Sequence, residues 1–302
     1  MTTTKSSVLV VGASGNMGFK IARELIALGA GVRVTHRAAS PAERVSALAA
    51  EGAAVVEADL GDAASLCRAC EGVDVVVSAA QGLRDVIVDG QTRLLRAAEQ
   101  AGVTRMIPSD YAVDFFKTDE GHNRNNDLRR ELARVLDASR VRGTSVLCGT
   151  LMHLLATSGF GPDPKTGALR VWGDPDQRYD FTHADDVAKY VAAIALDDGA
   201  ARVIRVAGDS RSPRELAAIF GEVRGAPVPL ESAGSLAELD ALIARLRAAD
   251  PAPTNLLPAW QELQYVRDMA SGRGRLEPLD NGRYPHIQPR TVRAFLRSLP
   301  AR

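Results

Sequence analysis

Short apolar runs alternate with helix-patterned stretches through the first half of the chain. The runs Ser7–Val11, Val32–His36, Ala54–Glu57, Asp74–Ser78, Arg105–Ile107 and Thr144–Leu147 predict strands. The stretches near 16–29, 41–51, 62–71, 84–101 and 124–139 predict helices. Such alternation predicts an α/β fold, a doubly wound parallel sheet with helices on both faces. Ligands of such sheets bind beyond the C-terminal strand ends, where strand order reverses.

After Gly149 the rhythm changes. Leu169–Trp172 and Arg178–Thr182 flank Gly173-Asp174-Pro175-Asp176, a pattern that predicts a hairpin. A helix over Asp185–Leu196 and a strand over Arg202–Val206 follow. Ser212-Pro213-Arg214-Glu215 and Ser235-Leu236-Ala237-Glu238 are capping boxes, each opening a helix. Asp250–Pro258 reads as a loop, and two further helices are expected near 259–270 and 290–298. The predicted organisation is a nucleotide-binding domain over 1–150, with about 183–208 returning to it. A smaller, mostly helical cap over 151–302 is expected to hold the substrate.

Lys+Arg and Asp+Glu both total 37, so the net charge is zero and neither nucleic acid nor a membrane surface is an expected partner. No apolar run approaches the ~18 residues of a membrane span, and MTTTKSS at the start is polar. Three cysteines suit a reducing compartment, and the expectation is a cytoplasmic protein. Cys67 and Cys70 form a CxxC, but without a second pair or a nearby histidine they read as small apolar helix residues.

The chemistry is richest at VLVVGASGNMG. Gly12, Gly15 and Gly18 follow the first strand and open a helix at Asn16-Met17. Glycines let backbone N–H groups approach a pyrophosphate, and the helix dipole favours the anion. The predicted nucleotide contacts are Gly12, Ser14, Gly15, Asn16, Met17 and Gly18. To these are added Asp59 and Leu60 after the third strand, Ser78, Ala79 and Ala80 after the fourth, and Pro108 and Ser109 after the fifth. The second strand ends Thr35-His36-Arg37, with no acid between Glu24 and Glu43. An NAD site places a carboxylate there, whereas the guanidinium of Arg37 suits a 2′-phosphate, so the expected cofactor is NADP(H). Arg33 would help only if its side chain points the same way.

The opening GASGNMG, the arginine after strand two and Ile107-Pro108-Ser109-Asp110-Tyr111 together resemble the NmrA-like and isoflavone-reductase-like group. This is an atypical branch of the short-chain dehydrogenase/reductase superfamily, with a Rossmann fold. Asp180-Phe181-Thr182-His183-Ala184-Asp185-Asp186-Val187-Ala188 and Ser212-Pro213-Arg214-Glu215-Leu216 extend the likeness, which covers about residues 6–225. The resemblance implies NADPH-dependent reduction of phenolic, quinone-like or other unsaturated or carbonyl-containing small molecules. It equally implies regulators that bind NADP(H) and act through a protein partner. An isomerase or epimerase that retains its nucleotide is a further alternative, and a homodimer is the candidate assembly.

The superfamily commonly uses Tyr-x-x-x-Lys, and no tyrosine here supplies it. Tyr111 is followed by Phe115, Tyr179 by His183 and Tyr190 by Ile194. The resemblance to isoflavone-type reductases implies a lysine on the helix after strand five, where Arg129 or a neighbour stands. Arginine holds a ribose or an oxyanion but does not shuttle a proton. Tyr111, beyond a strand end, is the leading candidate acid, with Arg129 or Lys117 as assisting cation and His122 as the alternative acid. His153 and Phe160 are expected to shape the substrate pocket, and Asp185 and Asp186 to cap a helix. The expected function is an NADPH-dependent oxidoreductase delivering hydride to a small, aromatic or quinonoid, carbonyl or conjugated substrate.

Overall fold

The structure, a computed structural model, describes residues 6–37, 43–157 and 160–300. In chain order its elements begin β1 (Ser7–Val11), α1 (Asn16–Ala27), β2 (Gly31–His36), α2 (Glu43–Ala50), β3 (Ala54–Glu57), α3 (Ala63–Cys70) and β4 (Val75–Ser78). Then come α4 (Gln91–Gln100), β5 (Arg105–Ile107), α5 (Arg124–Asp137), β6 (Arg142–Gly143), β7 (Ser145–Leu147), β8 (Thr150–Leu151) and α6 (Leu154–Thr157). The remainder is β9 (Leu169–Trp172), β10 (Tyr179–Thr182), α7 (Ala184–Ala195), β11 (Val203–Arg205), β12 (Asp209–Arg211), α8 (Pro213–Arg224), β13 (Leu230–Gly234), α9 (Leu236–Ala249), α10 (Ala259–Ala270) and α11 (Val292–Arg297). The expected start of the second helix at 41 lies outside the described residues.

Two compact units divide the chain. The first comprises Met1–Tyr111, Leu128–Val146 and Val187–Ile204, and the second Ala112–Asp127, Leu147–Asp186 and Arg205–Arg302. The first is built on a six-stranded sheet of order β3-β2-β1-β4-β5-β6, with every pairing parallel. Order reverses between β1 and β4, which locates the switch point. Leu9, Val11 and Val76 from the strands pack with Leu66, Leu94 and Leu95 from α3 and α4 in one fully buried layer. Continuous apolar strands of this kind are what a sheet covered on both faces requires.

The second unit packs Phe181, Leu216, Phe220, Val292 and Leu296 into its own core. Both capping boxes form: Ser212 and Glu215 close the start of α8, and Ser235 and Glu238 that of α9. Two small sheets accompany the helices, and they correct the expected hairpin. β9 pairs with β13 in parallel, whereas β10 pairs with β12 and β8. The turn 173–176 therefore joins two sheets, because β13 and β12, both unforeseen, capture its flanking strands. The expected strand Thr144–Leu147 forms as β7 but leaves the large sheet to pair with β11; β6, the two residues just before it, closes the large sheet instead. Among the described residues no helix is long and apolar enough to cross a membrane.

Candidate functional site

The first unit carries the glycine turn at the C-terminal edge of its sheet. Gly12 has φ +86°, a left-handed conformation, and a Cβ there would stand 2.9 Å from the Ala79 carbonyl oxygen and 3.2 Å from the Ala80 nitrogen. Gly12 thus lets the turn lie directly on the backbone beyond β4. A Cβ on Gly18 would overlap the Gly12 carbonyl oxygen and stand 2.7 Å from its carbon. That glycine brings α1 against the turn. Gly15 is exposed, and its Cβ would meet only the Gly12 oxygen at 3.2 Å. The Gly15 N–H donates to Gly12 (3.0 Å), and Gly15 caps α1 with no side-chain partner. The sequence treats the three glycines alike; the structure separates two packing positions from one that faces outward. Ser14 and Met17 are half-buried around the turn, and Asn16 is exposed at the first position of α1.

Beyond β2, Arg37 is exposed. Arg33 points elsewhere: its Nη1 donates to the Ala69 and Glu71 carbonyls, both at 2.7 Å, beside the end of α3. Sequence reasoning missed Arg44. From the first turn of α2 it donates to the Ser14 carbonyl at 3.1 Å and lies over the Phe19 ring. A basic residue opening the helix after β2 was the available signal. Asp59 is exposed and uses one carboxylate oxygen to hold the Gly61 N–H at 2.7 Å, while the Leu60 side chain leans on the core. The Leu60 carbonyl accepts from Arg93 at 2.7 Å.

The ends of β4 and β5 are drawn together. Ser78 is fully buried, Ala80 is buried, and the Ala79 N–H donates to Val11 at 2.8 Å. The Tyr111 hydroxyl donates to the Ser78 carbonyl at 2.9 Å, and its ring is half-buried. Pro108 and Ser109 are buried, and the Ser109 N–H donates to the Gln91 side chain. Gln91 was also missed. It was visible as one polar residue among Ile87, Leu94 and Leu95, at the spacing of an apolar helix face.

Asp110 is buried and accepts from the Ser145 hydroxyl at 2.7 Å, itself held by Arg202 at 2.8 Å. Burial pushes the Asp110 carboxyl above the usual carboxylate range, and the Ser145 hydroxyl, Arg129 and Arg202 oppose that rise.

The second unit holds the other polar candidates. His122 is exposed, with Nδ1 4.0 Å from Asp119. Lys117 donates to the Arg275 carbonyl (3.2 Å) and the Glu277 carbonyl (2.6 Å), and pairs with Asp114 at 3.3 Å. Asn123 and Asn126 both donate to buried Asp268, at 2.8 and 2.9 Å, tying the start of α5 to α10. His153 is exposed, and desolvation lowers its imidazole from the usual range. Phe160 packs against the second core. Asp185 and Asp186, expected as caps, lie in the first turn of α7, and Asp186 accepts the Arg290 N–H at 2.7 Å, anchoring the C-terminal segment. Cys67 donates to Gln100 at 3.2 Å. Burial, then the neighbouring Cys67, pushes the Cys70 thiol up to about 12, which makes it inert.

The sequence pattern of the NmrA-like family matches residues 4–244. A probable pinoresinol-lariciresinol reductase 3 of Arabidopsis thaliana is 30% identical over 201 residues, an alignment spanning 64% of either chain. The isoflavone reductase homolog IRL of Zea mays is 26% identical over 321 aligned positions, covering 98% of this chain and 99% of that one. The solved structure of AtPrR2 with NADP+ and (+)pinoresinol superposes with a TM-score of 0.80 at 21% identity, over 97% of this chain and 98% of that one.

Proposed function

The chain belongs to the NmrA-like family, and from that premise we propose that it binds NADP(H) at the β1–α1 turn and reduces a small aromatic or quinonoid carbonyl or conjugated compound. One observation carries the reading. The glycine turn leaves Gly15 and Asn16 exposed at the start of α1 while Gly12 and Gly18 are locked in packing. A turn kept close by Gly12 and Gly18, where a Cβ would strike backbone, and opening at a helix N-terminus, fits a pyrophosphate. Arg37 and Arg44 flank the same edge, and the 2′-phosphate of NADP(H) is the group that would attract both. Asp59 and Leu60 would border the adenosine half, and Ser78, Ala79, Ala80, Pro108 and Ser109 the other half.

When bound, NADPH supplies the hydride. The protein's share is a proton and a shaped surface. Tyr111 is the proposed proton donor. Its hydroxyl hydrogen lies on the Ser78 carbonyl (2.9 Å), so a rotation about the Cζ–Oη bond redirects it while the ring stays fixed. Arg129 works through Asp110, holding the segment that bears Tyr111. The same engagement of Tyr111 and Arg129 favours a second reading, a regulator that binds NADP(H) without turnover. The two separate in an assay of NADPH oxidation against quinones, enones and phenolic ethers. Turnover with one class supports the reductase. Micromolar or tighter NADPH binding with no turnover across the panel supports the regulator.

A further inference from the structure

The crossover from β4 to β5 leaves α-helical register for one turn, Asp85–Gly90, which is π-helical. The Gln91 N–H that closes this turn is shared between the Val86 carbonyl, five residues back, and the Val88 carbonyl. In an α-helix it would have reached Ile87. The Gln91 side chain fills that gap, with Nε2 donating to the Ile87 carbonyl at 3.0 Å. Its Oε1 then accepts the Ser109 N–H at 3.0 Å. Gln91 is fully buried and Ser109 nearly so. Pro108 has no N–H, so Ser109 offers the first backbone donor after β5. The chain turns at once, with the Asp110 N–H donating to Pro108 at 2.9 Å, and Tyr111 then reaches the Ser78 carbonyl. One carboxamide therefore fixes the end of β5, and one phenol ties it to the end of β4.

β4 and β5 lie on one side of the switch point, and β2 and β3 on the other. A dinucleotide lies across that point, with its pyrophosphate at the first βα turn and its ribose-recognising side near β2. The nicotinamide half then lies over β4 and β5. Resting on the NADP(H) reading above, we propose that Gln91 is a positioning residue for the nicotinamide half. It acts through the Ser109 backbone and makes no contact with the cofactor. Removing its carboxamide leaves the buried Ser109 N–H without the Gln91 acceptor, and 108–111 relaxes.

Calorimetric titration with NADPH and with adenosine 2′,5′-bisphosphate, which lacks nicotinamide, tests this. Gln91→Met is expected to weaken NADPH binding about 5- to 10-fold and to leave adenosine 2′,5′-bisphosphate within about twofold. Gln91→Glu, its carboxyl held protonated by burial, keeps an oxygen facing the Ser109 N–H and an O–H donor toward the Ile87 carbonyl, so the same selective pattern with a smaller loss is expected. It stands in where Gln91→Met does not fold. Equal losses for both ligands, or no loss for NADPH, overturn the proposal. A wild-type protein that binds neither ligand overturns the cofactor reading and this inference with it, before any variant is compared.

Discussion

The β1–α1 turn and the Pro108–Tyr111 segment leave the same edge of one sheet, and they are held in different ways. Backbone against backbone holds the turn: Gly12 lies on the Ala79–Ala80 peptide, and Gly18 lies on Gly12. Side chains brought from distant places hold the segment: Gln91 on Ser109, Ser145 on Asp110, Tyr111 on Ser78. A site made of backbone admits few residue types and so writes itself into the sequence. A site made by partners from three distant elements leaves no local signature.

The largest effect that sharpens the contrast lies at Tyr111. If the segment delivers the proton, Tyr111→Phe lowers kcat about 100- to 10,000-fold with NADPH affinity little changed. Steady-state rates on any substrate found in the NADPH-oxidation panel check it. A wild-type kcat would make the phenol a tie between β4 and β5 and nothing more. Within the turn, Gly18→Ala should cost stability, about 1–3 kcal/mol in denaturant unfolding, because its Cβ meets backbone that has no room to shift. Gly15→Ala should stay within about 1 kcal/mol of wild type and instead weaken NADPH binding. Equal stability losses would erase the distinction between packing and facing glycines.

The smallest effect concerns pH. Burial raises the Asp110 carboxyl above its unfolded value, so the folded protein binds the proton more tightly. Its contribution is fully present below the ordinary aspartate range and is lost as pH rises through the elevated value. Asp110→Asn removes this titration, so relative to wild type the variant is expected to gain stability from pH 4 to pH 7. Parallel pH–stability curves for the two proteins would contradict this.

The legible parts follow the same division. The strand runs, the glycine turn and both capping boxes were readable, because period, φ and cap chemistry act within a few residues. Arg37 was legible as a cation at a strand end, while Arg33, two residues inside β2, needed the structure to show that it turns to α3. The hairpin misled because Gly173–Asp176 has turn chemistry, yet β9 and β10 find long-range partners in β13 and β12. The π-helical turn was hidden, since one extra residue per turn leaves no compositional mark, whereas Gln91 showed only as a polar residue on an apolar face. Arg129 carried the right charge, and the fold adds that this charge opposes the rise of the buried Asp110 carboxyl.

The central claim is that the β1–α1 turn and the arginines beside it make an NADP(H) site. Calorimetric titration of the wild type and Arg37→Ala with NADPH and NADH tests it most directly. Wild type is expected to prefer NADPH by about 10- to 150-fold, and Arg37→Ala to lose most of that preference while NADH binding holds. Equal affinity of the wild-type protein for the two nucleotides would contradict it.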